Sequence, residues 1–230
     1  VNREYVRRWS RPLGREMELL RYGHAGQPVV AFPAEDGGHV QWEDFGMVGS
    51  LAWRLAAGAL QLWCVDSVDR ESWAARGRSP EERVERHLEY ERYVVDELLP
   101  DLPGPPVLVG AAFGAFHAVL LCLRYPDRFQ GWIALSGEFD SGRWLDGYTS
   151  EETYLTNPLT FLPGLSAERA APLRALRPAI VATGTEDDHV RDSEALVDLL
   201  RAKGVDVQFD LWPGWQHDWP YWRRMLDGYL

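Results

Sequence analysis

The sequence predicts a single-domain α/β fold in which a mostly parallel central sheet carries helices on both faces. Three observations predict it. Short apolar runs alternate along the chain with segments of helical periodicity, the pattern of a covered parallel sheet. Hydrophobic residues make up 46% of the 230 positions, enough for one full core. No repeat, low-complexity tract or Ser/Gly-rich linker divides the chain, so one large domain is favoured over two small ones.

The elements follow in order. Extended segments are expected at Glu4–Trp9 and Arg15–Tyr22, and "PVVAFP" (Pro28–Pro33) reads as a buried strand ending in the loop "AEDGGHVQWED". A helix is expected around Met47–Ala57, then the strand "LQLWCVD" (Leu60–Asp66). Ser79-Pro80-Glu81-Glu82 opens the next helix with a cap, a first-turn proline and a capping box, and that helix should run to Leu99, where Pro100 stops it. "PPVLVG" is a strand, and a helix from Phe113 ends before Pro126. "GWIALSG" (Gly131–Gly137) is another buried strand. Residues 138–171 read as irregular, with Asn157-Pro158 and Pro163-Gly164 as breakers. "PAIVATG" (Pro178–Gly184) is a strand, "SEALVDLLRAKG" an amphipathic helix stopped by Gly204, "VDVQFDLW" a strand, and the last helix starts near Pro220. In such sheets ligands bind at the carboxyl ends of strands, which points to the loops after Pro33, Gly110, Gly184 and Trp212.

Charge and composition exclude several classes. A net charge of −11 argues against nucleic acid, whose phosphates need a basic surface. No apolar run approaches the length of a membrane span, and the charged start "VNREYVRRWSRPLG" lacks the apolar core of a signal peptide. Cys64 and Cys122 both sit in apolar runs and read as reduced packing residues, so a cytoplasmic setting is expected.

The chemistry concentrates in three places. "LVGAAFGAF" (Leu108–Phe116) has the layout of a nucleophile elbow, G-x-S-x-G on a strand-to-helix turn, with Ala112 where the serine belongs. After "IVATG" comes the acidic turn Thr185-Glu186-Asp187-Asp188-His189, and "WPGWQHDWPYW" places His217 before the last helix. The order elbow, acid, histidine suits a serine triad, in which an imidazole takes the hydroxyl proton and a carboxylate fixes the imidazole tautomer.

These residues carry a resemblance. The elbow "GAAFGAFHAV", the loop "GTEDDHV" and the tail His217-Asp218-Trp219 with Trp222 resemble the α/β-hydrolase superfamily. Within it they resemble the esterase group that includes esterase D (S-formylglutathione hydrolase), feruloyl esterases and mycolyltransferases. The tail resembles that group's H-x-W-x-x-W signature. The resemblance implies an α/β-hydrolase fold with a lid-like insertion at about 138–171, a small-molecule ester or acyl substrate, and no cofactor or metal. It puts Ala112 at the nucleophile position, Asp187 at the acid and His217 at the base. The Phe113 N–H would form the oxyanion hole with the Glu35 N–H, Ala34 being the alternative. The side chains of Glu35 and Asp36 are expected to point outward.

Competing readings stand beside these. Ala112 can be plain packing on a turn that never held a serine. Glu186 and Asp188 compete with Asp187. His217 can be a structural histidine, and His117, on an apolar helix, reads as core. His24, His39 and His87 have no arguable partners. His189 beside carboxylates raises a metal site with His217, but no pair has the helical spacing of a zinc protease. Trp42, Trp63, Trp73 and Trp144 read as core or lid packing, with an aromatic acyl or sugar pocket as the alternative. For the alanine itself, an engineered Ser to Ala change is favoured over a natural pseudoenzyme that binds an ester without cleaving it. Direct water activation is disfavoured, since loss of a triad member leaves only residual catalysis. An acyltransferase would use the same site.

Overall fold

The computed structural model describes residues 2–230. The chain opens with an antiparallel hairpin, β1 (Arg3–Ser10) and β2 (Arg15–Tyr22), paired from Arg3↔Tyr22 to Ser10↔Arg15. β1 is the sheet edge, and its exposed arginines and glutamate deter pairing with a second chain. β3 (Gln27–Phe32) then enters the centre of the sheet. Three short helices follow: α1 (Gln41–Asp44) lies in the stretch expected as a loop, and α2 (Met47–Ser50) and α3 (Ala52–Ala56) stand in place of the one helix expected over Met47–Ala57. Gly46, at φ 76°, separates α1 from α2, and a left-handed residue cannot sit inside a right-handed helix.

β4 (Leu60–Val65) and α4 (Pro80–Arg92) come next, and the Ser79–Glu82 capping box is present at the start of α4. The chain then widens into a π-helical turn, Tyr93–Leu98, and tightens into a 3₁₀ turn, Leu99–Asp101. Pro100 therefore sits in the first turn of that 3₁₀ segment, where its missing N–H costs nothing, and does not end the helix outright. β5 (Val107–Ala111), α5 (Phe113–Arg124) and β6 (Gly131–Leu135) form the central parallel unit.

Between β6 and β7 the segment expected to be irregular holds a 3₁₀ turn (Ser141–Trp144) and three helices, α6 (Glu151–Leu155), α7 (Pro158–Gly164) and α8 (Ala167–Ala170). Asn157-Pro158 starts a helix where a breaker was expected, because Asn157 caps it by accepting from the Leu159 N–H at 3.1 Å. β7 (Ala179–Gly184), α9 (Val190–Ala202), β8 (Gln208–Trp212) and α10 (Trp219–Tyr229) complete the chain. β8 is shorter than the alternating run, since Val205 and Val207 are buried before the chain joins the ladder at Gln208↔Ile180.

The sheet order is β1-β2-β4-β3-β5-β6-β7-β8. β1–β2 and β2–β4 are antiparallel and all other pairs are parallel. Every residue of β5, β6 and β7 is buried, as a sheet covered on both faces requires. Alternate residues face opposite sides. Val30, Phe32, Leu108, Trp132 and Val181 join the core under α4, α5 and α9. Val29, Ala31, Val109, Ile133 and Ala182 join the core under α1–α3 and α10. With each fully buried large side chain worth about 1.5–3 kcal/mol, these two layers hold the strand ends in fixed register.

Candidate active site

At the end of β5 the backbone turns on Ala112, with φ 51° and ψ −120°. An L-residue with positive φ is strained, here by about 1–3 kcal/mol, and the turn persists because its neighbours over-determine it. The Ala112 N–H donates to Leu135 O at 2.9 Å, locking the turn to β6. A Cβ on Gly110 would lie 2.1 Å from the Gly114 carbonyl carbon, and one on Gly114 would lie 2.6 Å from the Phe32 and Pro33 oxygens. Both elbow glycines are thus required by close backbone approach.

Asp187 sits in the turn after β7 with its side chain wholly buried. His217 lies between β8 and α10, and its Nδ1 is 3.1 Å from each Asp187 oxygen. The His189 N–H donates to Asp187 Oδ1 at 2.9 Å. Burial alone would raise the Asp187 carboxyl, but hydrogen bonds from His217, Ser136 and the His189 N–H hold it below its ordinary 3.8. Glu186 and Asp188 are exposed, so of the three acids only Asp187 faces the imidazole. With Nδ1 committed to the carboxylate, His217 keeps Nε2 free for an incoming proton, and its side chain is 29% exposed. Trp222 packs edge-on against the imidazole, ring centroids 4.8 Å apart and planes at 88°. Asp218 accepts from the Trp219 N–H at 2.7 Å and caps α10, which fixes the His217 loop.

The loop after β3 leaves the same end of the parallel sheet as the turn after β7. Its Ala34 N–H already donates to Gln41 Oε1 at 2.7 Å, and the Trp42 indole donates to Phe32 O at 2.9 Å. The Glu35 N–H has no partner among the described residues. Phe113 opens α5, where a first-turn N–H has no intrahelical acceptor. Glu35 and Asp36 are exposed at the rim. A cleft of about 270 Å³ starts at Glu35 and Phe113 and is walled by Trp73 and Trp144, with Asp69 inside and Arg76 at its mouth. Trp42, Trp63 and Trp73 are all buried core residues, and of these Trp73 alone also lines the cleft.

Several participants were not foreseen. Glu138 Oε1 is 3.1 Å from His189 Nε2, and the His189 ring stands 5.0 Å from that of His217. Burial raises the Glu138 carboxyl above its ordinary 4.5, against the pull of His189. His87, assigned no partner from sequence, accepts from the Trp73 indole at 3.1 Å and meets Glu91 at 3.1 Å. His117 is buried and 2.9 Å from Asp69. Ser136, at the end of "GWIALS", is fully buried beside the acid. Its only sequence signal was its place at the carboxyl end of a strand. Among the described residues no group of three or more His, Cys, Asp or Glu is arranged to hold a metal ion. No helix among them is long and apolar enough to cross a membrane.

The sheet, the strained turn after β5 and the strand-end loops around it define an α/β-hydrolase. The chain belongs to the "Putative esterase" family, whose profile matches residues 24–230. No curated relative matches by sequence. In fold it is similar to a ferulic acid esterase, at 16% identity and a TM-score of 0.80, covering 99% of this chain and 95% of that one. It is also similar to an S-formylglutathione hydrolase from Agrobacterium tumefaciens, at 14% identity and a TM-score of 0.76, covering 98% and 92%. MPT51 of Mycobacterium tuberculosis is a further match, at 16% identity and a TM-score of 0.75, covering 99% and 96%.

Proposed function

We propose that the site is that of a serine-type carboxylic ester hydrolase, acting on a small-molecule ester through an acyl-enzyme at position 112. In this chain it stands in a nucleophile-less form, a Ser to Ala change in an active parent. The observation that carries this reading is the torsion of Ala112, strained as a nucleophile elbow is strained, in a chain that also keeps a buried carboxylate on the imidazole of His217.

In the parent, the serine oxygen attacks the ester carbonyl carbon while His217 Nε2 takes the hydroxyl proton. The carbonyl oxygen becomes an oxyanion and accepts from the N–H groups of Glu35 and Phe113. Collapse expels the alkoxide, which leaves as the alcohol with the proton from His217. Water then attacks the acyl-enzyme by the same route in reverse, giving the carboxylic acid and restoring the serine. Asp187 holds the imidazole in the Nδ1–H tautomer and stabilises the imidazolium. The unengaged Glu35 N–H supports its role over Ala34, whose N–H is taken by Gln41. The cleft walled by Trp73 and Trp144 would hold one arm of the ester, and the helical segment between β6 and β7, which supplies Trp144, would act as its lid. The two free, buried cysteines, Cys64 and Cys122, support a cytoplasmic setting.

The test is Ala112→Ser. It should raise hydrolysis of short acyl and aryl esters by about 10³-fold or more over the chain as it stands. No gain on a broad ester panel, from a folded protein, would overturn the reading.

A further inference from the structure

Glu138 follows β6, at the same end of the sheet as the acid turn after β7. Its side chain is 21% exposed, and its Oε1 lies 3.1 Å from His189 Nε2. Among the described residues no arginine or lysine pairs with it. His189 touches both members of the acid–base pair. Its N–H donates to Asp187 Oδ1 at 2.9 Å, and its ring stands 5.0 Å from the His217 ring with the planes at 65°. The His217 imidazole thus has three neighbours: Asp187 at Nδ1, the uncharged ring of Trp222, and His189 with Glu138 beyond it. The other charges of these loops are engaged or exposed. Asp192 takes Arg143 at 2.6 and 2.9 Å, Glu186 lies 3.4 Å from the Gln216 amide, and Asp218 accepts from the Trp219 N–H. Glu35, Asp188 and Arg191 are exposed.

A carboxylate covered to this degree is costly to keep, and an amide of the same shape would fill the place at lower cost. Packing alone therefore does not account for the charge. We propose that Glu138 acts on the base at one remove, as a positioning residue: its charge, held beside His189, favours the imidazolium that His217 becomes when it takes a proton. The inference rests on the proposed esterase reading, in which His217 is the base. Asp187 is then the acid that touches the imidazole, and Glu138 a second acid one ring away. The proton moves to and from His217 Nε2 alone, and Glu138 binds none. Burial raises the Glu138 carboxyl, against the pull of His189 and His217, in keeping with a charge that senses both rings.

The first measurement needs no activity and uses the chain as it stands. A carboxylate near an imidazole favours the protonated ring, so removing its charge makes the ring lose its proton at lower pH. Glu138→Gln should lower the midpoint of the His217 ring-proton titration, followed by NMR, by about half a pH unit. Glu186→Gln removes an equal charge from the exposed part of the acid turn and should shift that midpoint less than about half as far. The second measurement uses the Ala112→Ser protein. There Glu138→Gln should move the acid limb of kcat/KM down by the same amount and lower kcat about threefold, with KM changed less than about twofold. A merely structural glutamate would lower kcat without moving the limb. If Ala112→Ser is inactive while the midpoint shifts, the esterase reading fails and the effect of the Glu138 charge on His217 stands. An unmoved midpoint in Glu138→Gln, an equal shift in Glu186→Gln, or a limb that stays in place in the active protein overturns the role.

Discussion

Two carboxylate–histidine regions occupy this molecule, one in the loops after β7 and β8 and one between α4 and α5, and they differ in what is left free. After β7 and β8, Asp187 engages only Nδ1 of His217, whose side chain is part-exposed and whose Nε2 has no partner among the described residues. Between α4 and α5, His87 has both nitrogens engaged. Nδ1 accepts from Trp73 and Nε2 donates to Glu91, whose other oxygen takes Arg124 at 2.8 Å and Tyr125 at 3.1 Å. His117 stacks on His87 with ring centroids 5.5 Å apart, its Nε2 on Asp69 and its Nδ1 buried. The two differ in exposure: the unpartnered nitrogen of His217 belongs to a part-exposed ring, whereas the unpartnered Nδ1 of His117 is sealed in the core. Sequence alone separates the two poorly, because both read as a histidine with an acid somewhere else in the chain.

The sharpest break of this comparison is functional. In the Ala112→Ser protein, His217→Ala should lower kcat/KM by about 10³-fold or more, measured on the ester that variant hydrolyses best. A loss smaller than about tenfold would place the base elsewhere.

The next effect is on stability. Glu91→Ala removes a buried carboxylate and strands Arg124, Tyr125 and the His87 N–H together. Urea unfolding should show a loss of about 3–5 kcal/mol. A change under about 1 kcal/mol would mean that the buried network is not framework.

The smallest effect is pH dependence. Burial holds the His87 pKa below its ordinary 6.5, and the Trp73 indole requires its Nδ1 unprotonated. Burial would raise Glu91, but His87 and Arg124 hold it below its ordinary 4.5. Both folded-state values lie below the unfolded ones. Their stabilisation is therefore complete above pH about 6.5 and is lost as pH falls through the folded values. Unfolding free energy should decline steadily from pH 7 toward pH 4. A flat profile would show that neither group is linked to folding.

Much of the fold was legible because parallel strands buried on both faces leave continuous apolar runs, as "PVVAF", "VLVG" and "IVATG" do. The elbow, the acid turn and the histidine tail were legible because each is local in sequence. What escaped was non-local. Gln41 claims the Ala34 N–H, Glu138 reaches His189, and Ser136 meets Trp222 across 86 positions. The short helices between β6 and β7 escaped for a different reason. Their caps, Ser150, Asn157 and Ser166, are residues equally at home in loops.

Position 112 is shaped by its surroundings more than by its occupant. The torsion of φ 51° and ψ −120° is set by Gly110, Gly114, and the bond to Leu135, none of which senses a hydroxyl. Any unbranched side chain placed there projects along the vector that Ala112 Cβ now marks. On the proposed reading the site is a socket whose reactivity would be exchanged by changing one γ atom: oxygen for acyl transfer to water, sulfur for longer-lived thioesters. With neither, a ligand can be held and released unaltered.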